Sequence, residues 1–184
     1  MSKSKGNVIN PMDLVTKYGS DAFRLGILRG RSAGMNQAFS ENSVIAGRNL
    51  CNKLWNISRF IHSMVDENPS DGEYTTENMG EDWICREINA CLGQIDASVK
   101  DYRFAEACEA LYQTIWDKYA DWFLESQKIF KNIPLLKRTL ETLLIALHPF
   151  APFVTETIWQ NLTWTEGFIA TAEWPARLEY DPIS

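Results

Sequence analysis

The spacing of apolar residues between positions 43 and 147 limits the fold more than any other feature of this chain. In "SVIAGRNLCNKLWNISRFIHSMV", Leu50, Leu54, Ile57, Ile61 and Val65 recur at three- and four-residue steps. A helix gathers residues so spaced on one face. The rhythm returns in Ile84, Ile88, Leu92, Ile95 and Val99. A third run, from about 102 to 127, puts Phe104, Cys108, Leu111, Ile115, Tyr119, Trp122 and Leu124 on its inner side. A fourth spans about 134 to 147, carrying Leu136, Leu140, Leu143, Leu144 and Leu147. Pro149 removes a backbone donor and restrains His148, which ends that helix. Pro152 opens a short fifth helix predicted to bury Phe153, Ile158 and Trp159. The expected fold is all-α, an up-and-down helical bundle. No β-rich segment is large enough for a doubly wound sheet.

Ahead of the bundle, Leu14, Tyr18, Ala22, Phe23, Leu25 and Leu28 fit two short amphipathic helices broken near Gly19. Asp21 stands close enough to the break to cap or charge-stabilise the second. "GRSAGMNQAFSENS" carries several loop signals and predicts an exposed connection. Gly47, inside the long helix, costs an exposed helix about 1 kcal/mol against alanine, or else admits another backbone. Residues 66–82, acidic and broken by Pro69, Gly72 and Gly80, predict a solvated linker. This divides the chain into a loop and connecting region (1–35), a helical domain (36–174) and a tail or junction (175–184).

The 184 residues are 45% hydrophobic, enough for one packed core. No apolar run approaches the roughly 20 residues of a membrane span, and no hydrophobic signal core follows the N-terminal lysines. A cytoplasmic protein with no membrane partner is expected. Cys51, Cys85, Cys91 and Cys108 form no CxxC pair and sit in apolar helical contexts. They predict buried free thiols, with no metal site. The net charge of -6 conceals a segregation. Residues 1–60 hold 9 Lys/Arg against 3 Asp/Glu, whereas residues 61–130 hold 5 against 15. A polyanionic partner is therefore expected at the first third.

Little in the sequence suggests catalysis. Asp13 with Asp21, and Asp117 with Asp121, are better read as capping or solvated charges. His62 and His148 have no nucleophile in a recognisable arrangement. No GxxxxGK[ST] or GxGxxG motif is present. The exception is the opening "MSKSKGN": two ammonium groups, two hydroxyls and a glycine, the make-up of a loop that embraces a polyphosphate.

That opening, extended to "MSKSKGNVINPMDLVTKYGSDAFRL", resembles the KMSKS loop and following helix of class I aminoacyl-tRNA synthetases. The pattern continues through Gly6-Asn7, Val8-Ile9, Pro11, Asp13, Lys17-Tyr18-Gly19, Asp21 and Arg24. "RNLCNKLWNISRF", "YRFAEACEALYQTIWDKYADWFLE", "LLIALHPFAPFVTETIWQNL" and the closing Trp174-Pro175 resemble the valine-specific branch. The resemblance covers nearly the whole chain and is weakest over 66–82. Isoleucyl, leucyl and methionyl branches share the architecture.

There are departures. The first lysine of the signature is absent, as are the catalytic sheet with its HIGH motif, the editing domain and the C-terminal arm. Gly34, Met35 and Asn36 stand where valine-specific relatives often carry glycine, arginine and aspartate.

The resemblance implies an intact enzyme that joins valine to its tRNA, with ATP and Mg as substrate and no further cofactor in this piece. Lys3, supported by Ser2 and Ser4, would stabilise charge on the ATP phosphates. The piece alone is expected to be inactive, because the catalytic and editing domains are its missing partners. The bundle would receive the anticodon end of tRNA, tRNA-Val on the branch resemblance, and the helices of 12–30 the inner corner of the RNA. RNA contact calls for cations with polar or aromatic groups. The candidates are Arg24, Arg29, Arg31, Arg48, Asn52, Lys53, Arg59 and Arg103. Trp55 and Tyr102 are either stacking platforms or core residues. The acidic block should face away from RNA. The reading from a different class is a helical protein-interaction module.

Overall fold

A computed structural model describes residues 9–29, 39–70 and 72–180. These residues form an all-helical structure, and no strand occurs among them. Two short helices lead in: α1 (Pro11–Tyr18) and α2 (Ser20–Leu28). The long α3 (Glu41–Glu67) follows, then α4 (Met79–Lys100). A continuous rod comes next, made of α5 (Phe104–Gln113), a π-helical segment (Thr114–Phe123) and α6 (Leu124–Phe130). Then come α7 (Ile133–Leu147) and α8 (Pro152–Asn161). Asn10 and Asn78 cap α1 and α4 through their side chains, and proline opens α1, α7 and α8.

The apolar stripes meet as their periodicity demands. Leu50, Leu54, Ile57 and Ile61 of α3 share one core with Ile84, Ile88, Leu92 and Ile95 of α4 and Leu136, Leu140, Leu143 and Leu144 of α7. Val99, at the end of the second stripe, is 40% exposed. The thiols are free, three of them buried and Cys51 half-buried. Burial pushes Cys51, Cys85 and Cys108 up to about 12, so they are unreactive thiols.

The third predicted helix is where periodicity misleads. Phe104 is 40% exposed and Trp122 is 72% exposed, although a uniform 3.6 repeat puts both inside. The π winding, with i→i+5 bonding, rotates the later residues out of register. Tyr119, Ala120 and Phe123 turn inward and Trp122 turns to solvent. The Tyr119 hydroxyl shares a hydrogen bond of 3.0 Å with Thr139 of α7, which fixes the rotated segment. Phe153 is also outside, in the first turn of α8.

The acidic linker is partly built into the fold. Glu81, wholly buried, accepts hydrogen bonds from Gln127 Nε2 (3.0 Å), Asn132 Nδ2 (2.9 Å) and the Glu77 amide (2.8 Å). Asn132 Nδ2 also donates to the Thr75 carbonyl, so the linker's end is pinned to the turn before α7. A buried carboxylate is tolerated only when saturated in this way. Past Trp174 the chain lies against α4: Asn89 exchanges two hydrogen bonds with the Leu178 backbone, at 2.7 and 2.8 Å.

The lead-in helices are fastened to the bundle in two ways. Gly26 and Gly47 let α2 and α3 approach so closely that a Cβ on Gly47 would lie 2.6 Å from the Ala22 carbonyl oxygen. Asp21 does not cap its own helix. Its carboxylate accepts from the Phe153 and Val154 amides at 3.3 and 2.6 Å, capping α8 from across the fold. Arg24 donates to the carbonyls of Pro149 and Phe150, at 2.8 and 3.1 Å.

Candidate nucleic-acid interface

Between Glu41 and Asp66, α3 carries no carboxylate. Its apolar stripe fixes which side faces the core, and the opposite side presents Arg48, Asn49, Asn52, Trp55, Asn56 and Arg59 to solvent. Steps of three and four residues align this set along α3. Arg48 lies over the Tyr18 ring at 5.6 Å, while Arg59 has no ion pair among the described residues. Beyond Arg59 the stripe deepens into a groove of about 380 Å³ between α3 and α8. His62 and Asp66 line it, with His62 Nδ1 3.1 Å from the Asp66 carboxylate. Cations, amides and an exposed indole without intervening acids form a surface suited to a phosphate backbone and unstacked bases.

The structure sorts the remaining candidates. Arg24 spends its donors on the α7–α8 turn. Arg29 stacks 3.3 Å over Tyr112 and grips Glu109 with two hydrogen bonds, of 2.6 and 3.3 Å. Lys53 bonds Asp121 at 2.8 Å and lies 5.1 Å over Trp116, whose ring stacks on Tyr112. Arg103 is held by Asp101 and Glu106. The acidic block does not turn away from the basic third: Glu109 and Asp121 come from it, and they neutralise Arg29 and Lys53. Thus Arg48, Asn52 and Arg59 share one open face, and Arg24, Arg29, Lys53 and Arg103 are engaged within the fold. Trp55, 39% exposed, lies on that face, and Tyr102, 77% exposed with φ 58°, stands apart on the turn before α5. Asn49 and Asn56 were not singled out from sequence, although a search for polar residues opposite the apolar stripe finds both. Ser2, Lys3, Ser4 and Arg31 lie outside the described residues, as do Gly34, Met35 and Asn36. Among the described residues, no three His, Cys, Asp or Glu side chains are grouped to hold a metal, and no helix is long and apolar enough to cross a membrane.

The Arg29–Glu109 clasp carries a pH signature. Hydrogen bonding to Arg29 holds the Glu109 carboxyl below the usual carboxylate range. A depressed folded-state pKa adds stability that is complete above the unfolded value and lost as pH falls through the folded one. Both groups are partly exposed, so the contribution is about 1 kcal/mol at most. Wild type should melt about 1–3 °C above Glu109→Gln at pH 7, and the gap should close below about pH 4. A gap unchanged at pH 3 would mean that the ion pair does not supply it.

Two family models match this chain. Residues 81–183 match the family model described as the anticodon-binding domain of tRNA ligase. Residues 1–40 match the model for class I tRNA synthetases of the I, L, M and V group. The chain is 40% identical over 184 residues to a valine–tRNA ligase of Mycolicibacterium paratuberculosis, which covers 95% of the chain and 20% of that protein. It is 40% identical over 195 residues to one from Pelagibacter ubique, covering 96% and 22%. The chain therefore spans about a fifth of the length of the curated relatives it matches. A solved structure, the ternary complex of Agrobacterium radiobacter K84 agnB2 LeuRS with tRNA and LeuAMS, superposes with a TM-score of 0.79. It is 23% identical, over 96% of this chain and 22% of that one, and the likeness is one of fold.

Proposed function

We propose that this chain, which belongs to the family of anticodon-binding domains of tRNA ligases, holds the anticodon arm of tRNA-Val as part of a valine–tRNA ligase. The observation that carries the reading is the acid-free outer face of α3, where Arg48, Asn52, Trp55 and Arg59 stand in line. Arginines there meet phosphates, the asparagines offer donors and acceptors to base edges, and the indole offers a stacking surface. The valine specificity is supported by relatives named valine–tRNA ligase that align with 95% of the chain. The intact enzyme would use ATP to activate valine and pass it to the tRNA. Lys3, with Ser2 and Ser4, would neutralise charge on the ATP phosphates, a role that rests on the KMSKS-like motif.

In this assignment α1 and α2 couple the two ends. They follow the motif in sequence and are clamped to the bundle by Asp21, Arg24 and the close approaches of Gly26 to Val44 and of Gly47 to Ala22. A displacement of RNA against α3 would thus be felt at the lead-in helices. The test is a titration of the purified chain with a tRNA-Val transcript and with anticodon-swapped transcripts at two salt concentrations. Preference for the valine anticodon, with affinity falling as salt rises, is the expected result. Salt-sensitive binding without preference would remove the anticodon-reading role, and no binding at low salt would remove the RNA role of the chain by itself.

A further inference from the structure

The groove between α3 and α8 changes character along its length. Its floor is apolar: Ile158 and Leu162 are buried, and so is Ser58, whose hydroxyl is spent on the Trp55 carbonyl at 2.8 Å. At one end stand the Trp55 indole and, a helical turn on, Arg59, which has no ion pair among the described residues. The other end is acidic. Asp66 lies in the last turn of α3, which carries no basic residue and where the unpaired carbonyls add partial negative charge. His62 Nδ1 stands 3.1 Å from the Asp66 carboxylate, and the His62 ring packs 6.0 Å from that of Trp164, so the acid is held at the groove. On the α8 side, Asn161 donates its Nδ2 to the Thr157 carbonyl at 2.7 Å, which leaves Oδ1 as an acceptor with no partner among the described residues. The groove thus sets a donor, Arg59, against two acceptors, Asp66 and Asn161, beside an aromatic face. Its acidic end disfavours a phosphate and favours a group that donates.

We propose that this groove holds one unstacked anticodon base and selects adenine or cytosine over uracil and guanine. The inference rests on the tRNA reading of α3 and deepens it by naming where, and by which groups, a base is told apart. Adenine and cytosine share an exocyclic amine beside a ring nitrogen that bears no proton. The amine donates to the Asn161 and Asp66 oxygens, Arg59 donates to the ring nitrogen, and Trp55 offers a stacking face. Uracil turns a carbonyl oxygen where the amine belongs, so acceptor meets acceptor. Guanine carries a proton on the ring nitrogen next to its amine, so donor meets the Arg59 donor. Discrimination by such unpaired groups is stronger than discrimination by shape alone. Division of labour along α3 follows: Arg48 meets backbone phosphate, and the end of the helix reads a base. Sequence reading gave His62 no binding role, placed residue 66 at the start of a solvated linker and did not single out Asn161.

The test compares the wild-type chain with Asn161→Ala and Asp66→Ala. Each is titrated with tRNA-Val and with versions in which one amino-bearing anticodon base at a time is replaced by its analogue lacking the amine, purine riboside for adenosine and pyrimidin-2-one riboside for cytidine. Both side chains are exposed, so melting should hold; if Asn161→Ala melts early, Asp66→Ala carries the comparison. For the wild type, loss of the amine at one anticodon position should weaken binding about 3- to 10-fold. In each variant the parent tRNA should bind more weakly and the same deletion should cost less, because the amine has lost an acceptor. If no amine deletion matters, or its full effect persists in both variants, while the wild type still prefers the valine anticodon, this inference falls and the reading of α3 stands. Tighter binding of every transcript by Asp66→Ala, with the amine effect unchanged, also overturns it, because a phosphate then lies against the acid. Failure of the wild-type chain to bind tRNA, or to prefer the valine anticodon, overturns both this and the reading beneath it.

Discussion

Gly47→Val should lower the melting temperature by roughly 6–12 °C, the largest stability effect expected of one substitution here. The first added carbon would sit 2.6 Å from the Ala22 carbonyl oxygen and 3.0 Å from Leu25 Cβ. The first of these is backbone and has no rotamer to yield. Overpacking of this kind costs about 3 kcal/mol at the upper end of the usual range, and a valine recovers only about 0.3 kcal/mol of helix propensity over glycine. The control is Gly93→Ala in α4, where nothing lies within 4 Å of the new carbon. It should be neutral or stabilising by up to about 1 kcal/mol. If both variants melt alike, the α2–α3 contact is not the reason for glycine at position 47.

The largest binding effect is expected of Trp55→Ala. A base stacked on an aromatic side chain contributes about 1–3 kcal/mol, so truncation should weaken tRNA-Val binding roughly 5- to 150-fold. Trp55→Phe keeps a π-face and should retain most of the affinity. Trp55 is partly packed, so melting of each variant separates a loss of stacking from a loss of fold. Unchanged affinity in a folded Trp55→Ala chain would remove the stacking role and leave the α3 arginines and asparagines as the contact.

The legible part of the fold was its local part. The helices at 84–99, 134–147 and after 152, and the long helix ahead of the acidic stretch, follow from residues a few positions apart, and each lies within the observed element. The illegible part was the winding of 114–123, because an i→i+5 segment has no compositional mark and turns Trp122 outward against the 3.6 repeat. Gly47 was legible only as an alternative, a weak point or a close approach, and the distance to Ala22 decides for the approach.

For the site, the sequence by itself determined that positive charge concentrates in the first 60 residues and that α3 carries no acid along its middle. Together with the KMSKS-like motif, that set the expected class of partner. Only the tertiary structure decided which cations remain available. Arg29 and Glu109 stand 80 residues apart in the chain, Lys53 and Asp121 stand 68 apart, and Arg24 reaches the Pro149 carbonyl across 125. A helix follows from the spacing of near neighbours, whereas a charge is cancelled by whatever the fold brings within a few ångströms. Composition therefore located the basic third, and packing left Arg48 and Arg59 on its open face.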